Sequence, residues 1–252
     1  NTSMQHLHKM TDVLYHRGPD ASGYELIKKE NYALGLGHRR LSIIDLTESG
    51  AQPMRFQKFW ICFNGEVYNY SDIRVELELL GHKFKSTSDT EIVLQAYARW
   101  GSACIDRFIG MFAFVIYDSS DGKVFCCRDR AGVKPFYYYF KDGLFLFSSE
   151  LKSFHEHPRF EKQLNLAAVS AFMQYGNVPT PHCIFKNCHK LKPGHFMEFS
   201  LREEISKEQI QPHNQISYWN VYDAYNKPKL DLSFEAAKEE TESILKNACD
   251  YR

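Results

Sequence analysis

The chain lacks an excess of charge of either sign: 31 lysines and arginines balance 31 aspartates and glutamates. No global field therefore draws it to nucleic acid or to an anionic membrane, and neither partner is expected. Long apolar runs are missing as well. The longest clean one, Met111–Tyr117, falls far short of the ~20 residues that span a bilayer as a helix. No charged-then-apolar leader opens the sequence, so the expected location is cytoplasmic. Paired cysteine spacing is absent too. Seven cysteines, an odd number without any CxxC, argue against a disulfide framework or a zinc site and for buried free thiols. His155-Glu156-His157 has the look of a metal pair. Beside Pro158 it reads as a solvated loop, and no metal is expected.

What is present is enough apolar material for one large core or two domains: 44% hydrophobic and 15% aromatic residues over 252 positions. Met4, Leu7, Met10, Val13 and Leu14 recur at helical spacing up to an Arg-Gly-Pro-Asp turn. Strands are expected over 33–36 and 60–63, then helices over 72–80 and 90–100. Ile92, Val93, Ala96, Tyr97 and Trp100 mark the buried face of the second helix, with Gly101 as its C-cap. From Met111 to Ser149 the period becomes that of a sheet. Two hairpins are signalled, one through Ser119-Ser120-Asp121-Gly122 and one through Lys141-Asp142-Gly143. Strands and helices in separate runs make this an α+β chain. A helix over 166–175 has Asn165 as its N-cap. Residues 201–215 are polar enough to be a linker, and 233–252 form an amphipathic helix whose apolar stripe needs a partner.

One octapeptide carries the most chemistry. Phe63-Asn64-Gly65-Glu66-Val67-Tyr68-Asn69-Tyr70 sets a side-chain amide, an unencumbered backbone N–H and a carboxylate in succession after an apolar run. Asn64 and Gly65 can aim two donors at one oxyanion, and Glu66 suits a substrate ammonium. A plain Asn-Gly hairpin turn is the alternative. Further segments stand in order around it. They are His16-Arg17-Gly18-Pro19-Asp20 with Ser22-Gly23, Gly37-His38-Arg39-Arg40-Leu41-Ser42-Ile43-Ile44-Asp45, Gly50-Ala51-Gln52-Pro53-Met54 and Ser88-Asp89-Thr90-Glu91. Gly110-Met111-Phe112-Ala113-Phe114, Arg128 to Pro135 and Ser148-Ser149-Glu150-Leu151-Lys152 complete the set.

Together, from about Arg17 to the end of the chain, these resemble the N-terminal glutaminase domain of glutamine-dependent asparagine synthetases. Those are class II amidotransferases of the N-terminal-nucleophile hydrolase type. The resemblance implies a four-layer αββα sandwich of two antiparallel sheets over residues 1–200, a junction over 201–230 and the first helix of an ATP-dependent synthetase domain over 231–252. It implies glutamine as substrate, held by Arg40 at the α-carboxylate and by Glu66 and Asp89 at the α-ammonium. Leu41, Ser42, Ile43 and Ile44 would line the pocket, and Asn64 and Gly65 would form the oxyanion hole. The residues alone leave Arg40 open to being a surface charge, Asp89 a helix N-cap, and Arg17 either a pocket-wall residue or a structural ion pair.

In the resembled family the nucleophile is an N-terminal cysteine with its own α-amine as base. This chain begins Asn1-Thr2-Ser3. A strand bearing that cysteine is expected to be missing through truncation, the alternative being a non-catalytic scaffold as in β-lactam synthetase relatives. The chain as it stands is expected not to hydrolyse glutamine. No cofactor is expected in it; ATP and magnesium belong to the synthetase domain, a partner that lies beyond it. The acceptor, aspartate or a sugar acid, and the state of association, a homodimer among others, stay open.

Overall fold

The computed structural model describes residues 3–42, 45, 47–206 and 208–251, and the structural statements concern those residues. Helix α1, Met4–Asp12, starts where the Ser3 hydroxyl accepts the His6 N–H, satisfying one of the amides that a helix start leaves unpaired. A hairpin of β1, Ala21–Lys28, and β2, Ala33–Arg40, follows. Strands β3, Met54–Phe56, and β4, Phe59–Val67, lead into α2, Tyr70–Leu79, and α3, Asp89–Trp100. Next come β5, Gly110–Asp118, β6, Lys123–Arg128, β7, Tyr137–Lys141, and β8, Leu144–Ser148. The remainder is α4, Leu166–Tyr175, β9, Cys188–Lys190, β10, His195–Ser200, β11, Ile216–Ser217, α5, Val221–Tyr225, and α6, Phe234–Asp250.

The period-two alternation of β5 sets the layering. Phe112, Phe114 and Ile116 face one way, onto Ile73 and Leu77 of α2 and Ile92, Val93 and Ala96 of α3. Ala113, Val115 and Tyr117 face the other way, onto Tyr138, Phe145, Phe147 and Leu34. Burial on both faces explains why this strand reads as a continuous apolar run. It sits inside a six-stranded antiparallel sheet ordered β11-β10-β6-β5-β4-β3. Over its second face lie two smaller sheets, β1-β2 and β8-β7-β9. Behind those, Met10 of α1, Phe154 and Phe160 close a third cluster around Tyr139, Leu144 and Leu146. The order of layers is helices, sheet, sheets, helices: an α+β αββα sandwich.

The edges of β2 and β8 frame one cavity of ≈1610 Å³. Both strands end near the same point. His38 of β2 bonds the Phe63 carbonyl at 3.1 Å, and Ser149, just after β8, accepts from the Asn64 amide at 3.3 Å. Both also start near the same point. Tyr32 bonds Tyr117, Phe145 packs on Phe199, and Tyr117 and Phe199 flank Val124 in register. So β2 and β8 run in the same direction on either side of the cavity.

Two expectations change, and the alternative of an Asn-Gly hairpin turn falls away. Asn64-Gly65 is not a hairpin turn but lies inside β4, paired with Ala113 and Phe112. Residues 201–215 are not a free linker: Leu201 and Ile205 pack on the second cluster, Ile210 is buried within it, and Tyr138 donates to the Ile210 carbonyl. Apolar side chains spaced four or five apart in a polar stretch suffice to hold it down. His155-Glu156-His157 is not a solvated loop either. His157 is buried, and the ring of His155 stacks on Phe160.

The close approach of β4 and β5 depends on Gly65, where a Cβ would lie 2.6 Å from the Phe112 Cα and closer still to the Met111 carbonyl oxygen. Backbone cannot yield as a side chain can. Gly65→Ala is therefore expected to destabilise the chain by roughly 3 kcal/mol, a loss of about 10 °C in Tm. A melting curve within about 2 °C of the parent would contradict this packing.

Candidate active site

The site is built on the outer edge of β4. Strand β3 covers that edge only as far as Ile61. On the inner side, Phe112 turns its N–H to the Asp129 carboxylate (3.3 Å) and its carbonyl to the Asp129 N–H (2.7 Å). Its partner across the ladder, Gly65, accordingly points its own N–H away from β5. Residues two apart share an edge, so Phe63 and Val67 do the same. Gln52 Oε1 takes the Phe63 N–H at 2.6 Å, and Asp89 Oδ2 takes the Val67 N–H at 3.1 Å. Between them the Gly65 N–H opens on the cavity that this residue lines. The Asn64 amide spends one N–H on Ser149 Oγ and keeps a second donor.

Arg40, at the end of β2, donates from Nη1 to the Thr47 carbonyl at 2.7 Å and from Nη2 to the Asp45 carbonyl. Three of the five N–H groups that a guanidinium carries remain. Asp89 is not the N-cap of α3. Ser88 is, its hydroxyl accepting the Thr90 N–H at 3.2 Å, and Asp89 is the first helical residue, only 6% exposed. Burial, with the nearby Glu66 charge adding to it, pushes the Asp89 carboxyl up to about 6. Among the described residues neither Glu66 nor Asp89 pairs with a cationic side chain, and Arg40 pairs with no carboxylate.

Arg40, Leu41, Asn64, Gly65, Glu66 and Asp89 thus line one cavity. Ser42 is not on its wall; its N–H is given to Asp20 at 2.7 Å. Ile43 and Ile44 lie outside the described residues. Arg17 forms an ion pair with Glu150 at 2.9 Å and also borders the cavity.

Residues without a role in the sequence reading hold the site in place. Gln52 ties β4 to α3 by accepting from Phe63 and donating to Thr90 Oγ1 at 3.1 Å. Ser149 steadies the Asn64 amide. His38 bridges β2 and β4; burial pushes it down to about 4, so it is neutral and donates from Nε2 to the Phe63 carbonyl. All three stand within recognisable segments, but which neighbour each bonds depends on the tertiary approach of separate strands.

The arrangement offers a guanidinium for a carboxylate, two anions for a cation and two N–H donors for an oxyanion. Among the described residues the one thiol on the cavity is Cys62. Burial pushes it up to about 12, and its Sγ points at the Gly37 carbonyl, 3.8 Å away. It does not form a thiolate near neutral pH.

The raised Asp89 carboxyl has a measurable cost. Between the ordinary carboxylate range and about pH 6 the folded chain binds more protons than the unfolded one, so its stability falls as pH rises through that window. Asp89→Asn keeps an acceptor for Val67 and removes the buried charge. It is expected to stabilise the chain by about 2–3 kcal/mol at pH 7.5, with the gain fading as pH falls through 6 towards 4. A variant less stable than the parent at pH 7.5, or a gain independent of pH, would contradict the burial of an uncompensated charge.

Residues 1–212 match the family described as the glutamine amidotransferase domain. Asparagine synthetase [glutamine-hydrolyzing] 3 of Bacillus subtilis is 38% identical over 222 residues, 86% of this chain and 34% of that protein. Asparagine synthetase [glutamine-hydrolyzing] 1 of the same organism is 33% identical over 238 residues, 94% of this chain and 35% of that protein. The chain thus spans about a third of the length of these relatives. Among solved structures, glutamine phosphoribosylpyrophosphate amidotransferase from B. subtilis superposes with a TM-score of 0.53 at 17% identity, covering 81% of this chain and 46% of the other. That likeness concerns the fold. The sequence match over most of the chain, on a sandwich with this edge geometry, places the chain in the glutamine amidotransferase family.

Proposed function

We propose that the chain is the glutaminase half of an asparagine-synthetase-type ligase, hydrolysing glutamine to glutamate and ammonia for ATP-dependent amidation of a carboxylate, aspartate foremost. The observation that carries this reading is the set of charges on one cavity wall that lack a counter-ion among the described residues: Arg40 pairs with no carboxylate, and Glu66 and Asp89 pair with no cationic side chain. An α-amino acid zwitterion supplies both missing counter-charges. Arg40 would take the α-carboxylate, Glu66 and Asp89 the α-ammonium, and the Gly65 N–H with the free Asn64 N–H would meet the oxyanion that forms at the side-chain amide carbon. Ionised Asp89 is needed for the ammonium, so glutamine use would fall as pH drops below about 6.

The nucleophile would come from an additional strand. Because β2 and β8 run the same way on either side of the cavity, one strand opposite in direction to both would join the two small sheets into a continuous antiparallel one. Such a strand begins at the end of the cavity where His38, Asn64 and Ser149 meet. Its first residue would stand beside the oxyanion donors, where a cysteine could pair its thiol with its own α-amine. Three buried imidazole nitrogens on the cavity wall, His6 Nδ1, His38 Nδ1 and His157 Nε2, lack hydrogen-bond partners among the described residues, which favours a polar, peptide-like occupant. A non-catalytic scaffold gives no reason to keep two carboxylates uncompensated.

The test uses the full-length enzyme carrying an N-terminal cysteine and a synthetase domain. Arg40→Ala removes one charge-assisted pair, about 1.5–3 kcal/mol, and is expected to lower kcat/KM for glutamine roughly tenfold to hundredfold while ammonia-dependent synthesis stays unchanged. Asn64→Ala should lower kcat more than it raises KM, since the oxyanion exists only near the transition state. Equal losses with glutamine and ammonia for Arg40→Ala would assign the residue to folding.

A further inference from the structure

Arg40 stands at the end of a strand, beside a loop, where a long side chain would ordinarily sample many rotamers. Its restraint comes from contacts with Asp45, Thr47 and Gly50, which the Asp45 carboxylate organises. The Asp45 carboxylate folds the loop on itself: Oδ1 accepts the Thr47 N–H at 2.8 Å and the Thr47 hydroxyl at 2.6 Å. That Asx turn brings the carbonyls of both Asp45 and Thr47 onto the Arg40 guanidinium. Thr47 Oγ1 in turn accepts the Ser49 N–H at 3.2 Å, and next along the chain Gly50 lies so close that a Cβ there would collide with the guanidinium. The second oxygen, Asp45 Oδ2, reaches across 42 residues of sequence to the Thr87 N–H at 3.1 Å. Thr87 is followed by Ser88, the cap of α3, and by Asp89. Asp45 is 6% exposed.

We propose that Asp45 is a positioning residue that couples the two halves of the amino-acid clamp, fixing Arg40 through one carboxylate oxygen and the segment before Asp89 through the other. This rests on the reading of Arg40 and Asp89 as the carboxylate and ammonium contacts. Asp45 borders the same cavity, but both of its carboxylate oxygens are engaged by Thr47 and Thr87. It sets the distance between a cation and an anion that must match one zwitterion, which the two sites on separate strands and helices would not otherwise keep. The role requires an anion with several acceptor sites. The hydrogen bonds it receives, that of the Thr47 hydroxyl foremost, hold it down at about 2, so it is ionised at neutral and mildly acidic pH. Asn in its place offers a single acceptor oxygen and must give up either the turn or the tie to Thr87; Ala gives up both.

Two measurements on the chain test the proposal. The first is ligand-free: in ¹⁵N guanidinium spectra the two anchored Nη groups of Arg40 should give resolved, slowly exchanging signals, identified by their loss in Arg40→Lys, and these should collapse in Asp45→Ala. Unchanged Arg40 signals in Asp45→Ala would overturn the proposal whatever the ligand does. The second is calorimetric titration with L-glutamine in a double-mutant cycle. Asp45→Asn is expected to raise the dissociation constant about tenfold in the parent and less than twofold in an Arg40→Ala background, because its effect passes through Arg40. Equal losses in both backgrounds would overturn the coupling and leave a general structural role. Parent chain that binds no glutamine at all would sink the amino-acid reading of the site, with the Arg40 spectra still deciding the tie to Asp45.

Discussion

Past Ile61, no strand of the described residues lies beside the outer edge of β4, and a bare row of backbone N–H groups in a protein interior has to be satisfied or used. The chain satisfies two of them with side chains brought from elsewhere, Gln52 on Phe63 and Asp89 on Val67. The one between, on Gly65, opens on the cavity. That single constraint leaves one N–H donor open on the cavity, fixes an acidic residue one strand-repeat away from it, and ties α3 to the sheet. It also explains the glycine, since only the absence of a Cβ lets β5 lie against the other side of the same strand.

The electrostatics follow from the same edge. Using Asp89 as a backbone acceptor draws its carboxylate into the interior next to Glu66, which raises its affinity for a proton. A protein selected for stability alone would place an amide there. Keeping the charge costs folding free energy that a bound ammonium would return, and Arg40, held by backbone carbonyls instead of a counter-ion, is the mirror case. Asp89 and Arg40 are each anchored by backbone groups and, among the described residues, paired with no opposite charge, an arrangement suited to a charged ligand.

Much of this architecture was legible in the residues. The helix over Asp89–Trp100 was legible from its 3.6-residue period, although Asp89 to Ala96 are buried on every side and not along one stripe, and the hairpins through Gly122 and Gly143 announce themselves by composition. The Asn64-Gly65-Glu66 succession pointed to a segment that lines the cavity, though not that it lies mid-strand. β1 gave no signal, because a strand in a two-stranded ribbon with half-exposed residues on both faces has no alternation to show. Ile210 hid inside a polar stretch and His157 beside a proline. Asp45, Gln52, His38 and Ser149 were in view as letters, but their work is to bond backbone and side chains tens of residues away. No local pattern encodes such contacts.

The central claim is that the cavity holds an amino acid by its ammonium on Asp89 and Glu66 and by its carboxylate on Arg40. Calorimetric titration of the chain with L-glutamine in two buffers of different ionisation enthalpy tests it most directly. Docking an ammonium beside a carboxyl that titrates near 6 must expel its proton. The account predicts release of about half a proton per glutamine bound at pH 6, falling to none at pH 8. Binding heats identical in the two buffers at pH 6 would contradict it.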